Sequence, residues 1–214
     1  MEDKIVYPEL NEFLRAQLPQ NEGLLRELEE FAVNPYIPII QHEVAQFLKV
    51  FFSFSKPKKI LEIGTAIGYS AIFFAGLDKE TEIVTVERNP DMIKAAQENF
   101  KRAGFSDRIT LIEGNALNVL ESLEGEFDTV FLDAAKGQYQ KFLPNILRVL
   151  KTGGVLITDN ILYRGIVADA NPPRKHITIA RNLKKYIVEI THSDRLDTTI
   201  LPLGDGVGIS KKLK

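Results

Sequence analysis

The chain of 214 residues is 44% hydrophobic and 26% charged, contains no cysteine, and has a formal net charge of −2. This composition is that of an ordinary folded protein, and it excludes disulfide bonds and thiolate metal ligands. The net charge gives no global indication of a nucleic-acid partner.

The length predicts a single domain over residues 1–214, with an N-terminal helical cap (1–55) and an α/β core (56–214). The N-terminal residues lack the basic start and apolar run of a secretion signal. No apolar stretch approaches the ~18 residues that a membrane span requires. We therefore expect a cytoplasmic protein.

Two kinds of pattern follow one another along the chain. Residues 8–52 have apolar side chains near helical spacing, and 42–54 form a second such segment. From residue 58, short apolar runs rich in β-branched residues alternate with helical segments. These runs cover residues 58–64, 81–87, 108–114, 127–133 and 153–159. The alternation predicts a parallel sheet covered by helices.

The helix predicted over residues 90–103 has clear signals at both ends. Asn89 is a suitable N-cap, Pro90 fits the first turn, and Gly104 follows the last helical residue. Another helix is predicted from residue 173 to about 191. The strands LDTTILPL and VGISKK come next, joined by Gly-Asp-Gly at 204–206, and they predict an antiparallel hairpin at the end of the sheet.

The first strand is followed by a glycine-spaced turn. In an open α/β sheet, ligands bind beyond the carboxyl ends of the strands, so this turn is a candidate binding element. Gly64 and Gly68 form G-x-x-x-G, which differs from the G-x-G-x-x-G of dinucleotide-binding proteins and favours a smaller ligand carboxylate over a pyrophosphate. Tight turns between a strand and a helix favour glycine in any case, so the turn alone does not identify a ligand.

The ends of the second and third strands suggest a nucleoside site. Glu87 closes the second strand, where a carboxylate can accept hydrogen bonds from both ribose hydroxyls; the alternative is an unpaired surface glutamate. Asn115 and Ala116 follow the third strand, where an adenine ring could lie. Together the three strand ends describe a nucleoside with a small charged tail.

The fourth and fifth strands end in hard oxygen donors. Asp133 and the pair Asp159 and Asn160 are expected at one edge of the sheet, where they suit Mg²⁺ or a similar ion. Lys136 can reach the same place, and an amine beside a divalent cation can lose its proton and act as a base. Acids also cluster at strand ends without a metal, and a lysine in a loop is more often solvated.

Residues 161–185 form a basic segment with a charge of +5, against −7 for the remainder of the chain. Its cations are Arg164, Arg174, Lys175, Arg181, Lys184 and Lys185. They could flank the pocket and bind phosphates, or they could form a solvated helix face. The three histidines, at positions 42, 176 and 192, are isolated in sequence, and none is expected to be a ligand.

Four motifs, in this order, resemble the metal-dependent O-methyltransferases typified by catechol and caffeoyl-CoA O-methyltransferases. They are ILEIGTAIGYS, VTVERNP, FLDAAKGQYQ and ITDNILYRG. The resemblance covers roughly residues 36–212. Within this family, DAAKGQYQ, DNILYRG and ILPLGDGVGISKK are most similar to the bacterial tRNA 5-hydroxyuridine methyltransferases, which make 5-methoxyuridine at the wobble position.

The resemblance implies a Rossmann-like methyltransferase fold with a seven-stranded, mostly parallel sheet, S-adenosylmethionine (SAM) as methyl donor, and a homodimer. It implies Asp133, Asp159 and Asn160 as metal ligands and Lys136 as base. It implies Glu87 as the ribose acid, Ser70 and Gly64 near the methionine end, and Ile40 as an apolar contact. With the strand-end residues, the positions expected to bind the cofactor are Ile40, Gly64, Tyr69, Ser70, Glu87, Asn115, Ala116 and Asp133. Asn115 stands where relatives of the tRNA enzyme carry aspartate, so the resemblance does not define an adenine contact there.

Three alternatives to a tRNA methyltransferase remain at this stage. A catechol-type enzyme would methylate small 1,2-dioxygenated aromatics, whereas a non-catalytic module would bind SAM as a sensor or scaffold. Lys136 beside a full metal-binding set argues against the module, because binding alone needs neither. A Rossmann dehydrogenase is disfavoured by the glycine spacing. The cations Arg164, Arg174, Lys175 and Arg181 are the expected RNA contacts if tRNA is the substrate.

Overall fold

A computed structural model describes residues 5–33 and 37–214. Three helices precede the sheet, as the apolar spacing predicts: α1 (Pro8–Gln17), α2 (Gly23–Val33) and α3 (His42–Ser55). α1 has no buried residue, whereas α3 inserts Val44, Leu48 and Phe52 into the core. The first helix therefore lies on the outside of the molecule, while the third is part of the core.

The seven strands form one sheet. They are β1 (Lys59–Ile63), β2 (Glu82–Glu87), β3 (Ile109–Glu113), β4 (Phe127–Leu132), β5 (Leu150–Thr158), β6 (Leu196–Leu201) and β7 (Val207–Lys212), in the order β3-β2-β1-β4-β5-β7-β6. Among the strands of residues 5–33 and 37–214, only β7 runs against its neighbours, because it pairs antiparallel with both β5 and β6. The predicted mostly parallel sheet with a C-terminal hairpin is confirmed.

Five helices connect or flank these strands: α4 (Tyr69–Leu77), α5 (Pro90–Ala103), α6 (Ala116–Ser122), α7 (Tyr139–Val149) and α8 (Ile177–Thr191). The bounds of α5 are those predicted. The side chain of Asn89 accepts a hydrogen bond from the Asp91 N–H at 3.0 Å, and Gly104 ends the helix with φ of 72°. α8 is preceded by a 3₁₀ turn over residues 174–176.

Successive residues of a strand pack into two different hydrophobic clusters, one on each face of the sheet. Ile60 and Phe131 belong to the cluster that contains α3 and α4, whereas Leu61 and Leu132 pack with α7 and α8. β5 begins three residues earlier than predicted, because Leu150 still pairs with Phe127 across a register shift. The sequence had placed the start of this strand at the two glycines 153–154.

β1 lies between β2 and β4, so the chain order reverses at this point of the sheet. A cleft at the carboxyl ends of the strands is expected at such a reversal, and the candidate site lies there. In the described parts of the chain, no helix is long and apolar enough to cross a membrane.

Candidate active site

A cavity of about 1200 Å³ lies at the carboxyl ends of the strands and is closed on one side by residues from α1, α2 and the segment before α3. Every residue predicted to bind the cofactor lines it: Ile40, Gly64, Tyr69, Ser70, Glu87, Asn115, Ala116 and Asp133. Lys136, Asn160 and Arg164 line the same cavity. The fold thus brings together predicted site residues that are far apart in sequence, such as Ile40 and Arg164, which are 124 positions apart.

The glycines of the first turn are required for close packing. Gly64 has φ of +107°, and a Cβ atom there would lie 2.1 Å from the carbonyl oxygen of Asp133. Gly68 has φ of +84°, and a Cβ atom would lie 2.5 Å from the Phe100 ring. Larger residues would push the turn away from the end of β4. Glycine here therefore lets the backbone of the turn approach the residues expected to bind the metal.

Glu87 is held in place by main-chain donors. Its Oε2 accepts a hydrogen bond from the Ala66 N–H at 3.0 Å, and its Oε1 accepts from Arg88 and Asn89 at 2.8 and 2.9 Å. Each carboxylate oxygen can accept more than one hydrogen bond, so ribose hydroxyls can still bind. The carboxylate is fixed at the cavity wall and is not a solvated surface group.

Asn115 acts as the N-cap of α6. Its side-chain oxygen accepts a hydrogen bond from the Leu117 N–H at 3.0 Å. This hydrogen bond orients the amide at the end of β3, beside the next residue of the cavity wall, Ala116. An amide nitrogen, which an aspartate would lack, is thus available at the position where an adenine is expected.

Sequence reasoning missed Glu62, which lies under the glycine turn. Its fully buried carboxylate accepts hydrogen bonds from the hydroxyls of Ser70 and, at 2.5 Å, Thr85. Burial raises the pKa of Glu62 to about 7, although both hydrogen bonds lower it. The available signal was an acid at an inward position of the apolar strand KILEI, which is not at a strand end. Glu62 orients Ser70, a predicted cofactor contact.

Glu62→Gln should reduce the pH dependence of stability. Because the folded-state pKa of about 7 exceeds the ordinary value of 4.5, this group stabilises the fold below pH 4.5 and loses that contribution as the pH rises through 7. From it alone, the wild type should have roughly 2–3 kcal/mol more unfolding free energy at pH 5 than at pH 8. Urea unfolding at both pH values should show a smaller difference for Glu62→Gln, and an unchanged one for the exposed Glu98→Gln. An equal difference in all three proteins would contradict this role.

The predicted metal-binding residues meet at the ends of β4 and β5. The Asp159 N–H donates to the Leu132 carbonyl at 3.0 Å, which places Asp159 beside Asp133. Asp159 is only 2% exposed; its Oδ1 accepts from the Asn160 N–H at 2.7 Å, while its Oδ2 is buried without a hydrogen-bond partner among the described residues. Burial, followed by the charge of Asp133, raises the pKa of Asp159 well above its usual value.

This arrangement fits a hard divalent cation. A buried carboxylate oxygen without a donor is costly unless a positive charge is nearby. Burial also raises the pKa of Asp133. The charge of Asp133 contributes to the raised pKa of Asp159, because the two acids repel each other when both are ionised. Across residues 5–33 and 37–214, no three acidic, histidine or cysteine side chains are grouped to hold a metal. The candidate set is instead two carboxylates and the Asn160 amide, whose oxygen faces Lys136 and whose nitrogen faces Asp133 at 3.4 Å.

Lys136 begins a short 3₁₀ turn immediately after β4, and its ammonium group reaches the metal-binding residues. Its Nζ donates to Asn160 Oδ1 at 2.7 Å and lies 3.6 Å from Asp205 Oδ2. The ring centre of Tyr163 is 5.8 Å away. Lys136 is therefore at the cavity wall and is not a solvated loop lysine. Asp205, in the hairpin turn, is a second residue that sequence reasoning missed.

Of the predicted RNA contacts, only Arg164 lines the cavity. Arg174 and Lys175 lie in the exposed turn before α8, and Arg181 is exposed on α8 itself. The neighbouring His176 does line the cavity, and its Nδ1 is 2.6 Å from the Tyr163 hydroxyl. Arg174 and Lys175 are therefore adjacent to the cavity wall without forming it. His176 had been set aside on sequence because it has no neighbouring ligand residues.

Known O-methyltransferases resemble this chain in both sequence and fold. A family model described as O-methyltransferase matches residues 16–213. The chain is 30% identical to caffeoyl-CoA O-methyltransferase 1 of Zea mays, over 92% of this chain and 81% of that protein. It is 32% identical to a catechol O-methyltransferase of Niastella koreensis, over 74% and 72%. The crystal structure of the SAH-bound methyltransferase PaMTH1 of Podospora anserina matches with a TM-score of 0.86, 31% identity and coverage of 96% and 94%.

Proposed function

The chain belongs to the O-methyltransferase family and is a SAM-dependent enzyme; on this basis, we propose that it methylates one of two neighbouring oxygens with the help of a divalent metal. The acceptor that we propose is 5-hydroxyuridine at the wobble position of tRNA. The observation that carries the proposal is the contact of Lys136 with Asn160, at 2.7 Å, at the cavity wall that Asp133 also lines, with the buried Asp159 carboxylate directly behind it.

The cofactor is assigned to the half of the cavity nearest β1 and β2. Glu87 would bind the ribose hydroxyls, Ser70 and the Gly64 turn the methionine end, and Ile40 would provide an apolar contact. Asn115 and Ala116 would lie beside adenine. Bound in this way, SAM supplies a methyl group on a positively charged sulfur.

The acceptor is assigned to the side of Lys136 and Asn160. A divalent cation held by Asp133, Asp159 and Asn160 would lower the pKa of the hydroxyl that it binds. Lys136, as the neutral amine, would take the proton of the acceptor hydroxyl, and the resulting oxyanion would attack the methyl carbon of SAM as the carbon–sulfur bond breaks and S-adenosylhomocysteine leaves. Holding both reactants in line at one cavity is the main contribution of the protein. 5-Hydroxyuridine offers its 5-hydroxyl and 4-carbonyl as the neighbouring oxygens.

Two features support tRNA as the acceptor. The motifs DAAKGQYQ and DNILYRG, which include Lys136 and the metal-binding residues, resemble those of the tRNA enzymes. Arg174, Lys175 and Arg181 are exposed and start next to the cavity wall, where they can contact phosphates outside the pocket.

Reversing the charge of Arg174 and Lys175 to glutamate should lower the affinity for tRNA at least about tenfold at low salt, and should reduce its salt dependence. The SAM dissociation constant should not change, because neither residue lines the cavity. The measurement is methylation of tRNA against salt concentration. Lys94→Glu with Lys101→Glu, two exposed residues of α5, is the matched control. Equal tRNA kinetics in both double variants would contradict the proposal.

The names of the relatives favour a second candidate, a small aromatic acceptor. The matched plant and bacterial proteins are named for caffeoyl-CoA and catechol. A catechol has the same pair of neighbouring oxygens, so the site chemistry is shared. This candidate requires turnover of simple catechols at least as fast as that of tRNA, with no effect of Arg174 and Lys175.

We also propose a homodimer. Leu10, Phe13 and Leu14 are exposed on α1, which buries no residue of its own, and a second copy of the chain could cover them. Replacing Phe13 and Leu14 by serine should convert a dimer into a monomer in sedimentation experiments. A wild-type monomer would contradict this part of the proposal.

A further inference from the structure

Asp205 lies in the turn between β6 and β7, which faces the loop over residues 160–165 (the site loop). It is 9% exposed and lines the cavity, although it does not follow a parallel strand. None of the residues assigned above to the cofactor or the metal comes from this hairpin. A buried acid at this position therefore adds a negative charge that the proposed function has not used.

The carboxylate of Asp205 contacts two parts of the site. Its Oδ2 lies 3.6 Å from Lys136 Nζ, and its Oδ1 accepts a hydrogen bond from the main-chain N–H of Arg164. Lys136 is thus placed between Asp205 and the Asn160 oxygen, which is 2.7 Å away. A cation bound to that oxygen would displace the Lys136 Nζ from it, and Asp205 would then hold the Lys136 amine in place.

The hairpin turn fixes the direction of this carboxylate. Ile161 and Leu162 donate main-chain hydrogen bonds to Gly206 and Asp205, each at 3.0 Å. A Cβ atom at Gly206 would lie 2.3 Å from the Leu162 side chain, so the turn is packed directly against the site loop. Asp205 therefore has a defined position relative to Lys136.

The site loop needs such support, because its backbone is strained. Asn160, Tyr163 and Arg164 have φ values of 60°, 49° and 54°, in the left-handed region that costs energy for residues other than glycine. Strain of this kind persists only where the surroundings hold the conformation. The Asp205 carboxylate is bonded to the last of these three residues.

We propose that Asp205 is a positioning residue for methyl transfer: it directs the Lys136 amine towards the acceptor side of the cavity and holds the site loop in its strained conformation through the Arg164 N–H. The contact with Lys136 rests on the proposed function, because it matters only if Lys136 is the base. The contact with the loop does not depend on the acceptor.

Hydrogen exchange of the intact protein tests the contact with the loop without an acceptor. Asp205→Ala removes the hydrogen-bond acceptor, so amides of residues 161–166 should exchange at least about tenfold faster. Asp205→Asn keeps an oxygen that can accept from Arg164 N–H, and it should restore most of the protection. Asp194→Asn, an exposed acid paired with Lys214, is the control. Unchanged exchange in Asp205→Ala would overturn this part.

A double-mutant cycle on kcat tests the contact with Lys136. Asp205→Asn should lower kcat about tenfold in the wild type and less than about twofold in Lys136→Met, with the SAM dissociation constant unchanged, because a residue that acts through Lys136 has no effect without it. A purely structural role would lower kcat equally in both backgrounds and would overturn the inference. If Lys136→Met is fully active, the proposed base is wrong and this contact fails with it. If Lys136→Met is inactive but Asp205→Asn is unaffected, only the role of Asp205 fails.

Discussion

Lys136→Met is expected to lower kcat for methyl transfer by about 10²–10⁴-fold, the usual contribution of a general base. Methionine keeps the length and apolar stem of the side chain but cannot accept the acceptor proton. It also removes the hydrogen bond to Asn160 and the ion pair with Asp205. The SAM dissociation constant should stay within about twofold, because the proposed ribose and methionine contacts are Glu87 at the end of β2, the Gly64 turn after β1, and Ser70 in α4.

Single-turnover methylation from labelled SAM measures this effect, and calorimetry measures SAM binding. Lys141→Met is a matched control, because Lys141 is an exposed residue of the neighbouring α7. Full activity of Lys136→Met would rule out Lys136 as the base and leave proton removal to solvent. A large loss of SAM affinity would instead indicate a role in shaping the cavity.

The second large effect is expected on metal-dependent stability and activity, at the neighbouring acids Asp133 and Asp159. A divalent cation that binds only the folded protein, at about 100 times its dissociation constant, stabilises it by about 2.7 kcal/mol, which corresponds to a rise of roughly 5–10 °C in the melting temperature. Asp159→Asn should abolish most of this response and all metal-dependent methyl transfer. In the presence of chelator the variant should be more stable than the wild type, because it removes the charge of a buried carboxylate that the neighbouring Asp133 repels.

Melting curves with chelator and with Mg²⁺ or Mn²⁺ test both statements. In the Asp159→Asn variant, the side-chain amide oxygen could still accept from the Asn160 N–H, so the change is mainly one of charge. Asp197→Asn is the control, because Asp197 is an exposed residue of β6. A wild type that gains no stability from any divalent cation would contradict the proposed metal site. A variant that is less stable than the wild type in chelator would show that the two acids are not ionised together.

The parallel sheet and the cavity were predictable from sequence, because local patterns identify the strands and the carboxyl ends of parallel strands can lie only on the same side of the sheet. Parallel strands end at one edge, so the residues after each strand meet there whatever the connecting helices do. Glu87, Asp133 and Asn160 follow directly from that rule, and all three line the cavity. Helix α5 was predictable to the residue because its cap and its terminal glycine are local signals.

Glu62 and Asp205 were not predictable in the same way. Glu62 is inside a strand, and its importance comes from two hydroxyls that α4 and β2 bring to it. Asp205 is in a hairpin turn, where Gly-Asp-Gly already explains the turn itself. Its contact with Lys136 spans 69 positions and depends on how β7 pairs with β5. Tertiary packing, which has no local sequence signal, decides both roles.

The basic segment shows a different limit. Its charge was evident from sequence, yet the 3₁₀ turn before α8 directs His176 to the cavity and leaves Arg174 and Lys175 exposed. Composition cannot tell which residue of a turn points inwards. The positions of these side chains therefore fit both interpretations of the basic segment, phosphate binding and a solvated face. The charge-reversal experiment distinguishes between them.

Methyl transfer from labelled SAM, with Mg²⁺ and with chelator, to tRNA containing 5-hydroxyuridine and separately to a simple catechol tests the central claim most directly. We predict metal-dependent labelling of the tRNA as 5-methoxyuridine, abolished by Lys136→Met and by Asp159→Asn. Labelling of the catechol alone would assign the enzyme to small-molecule methylation, and labelling that persists in chelator would contradict the metal-assisted mechanism.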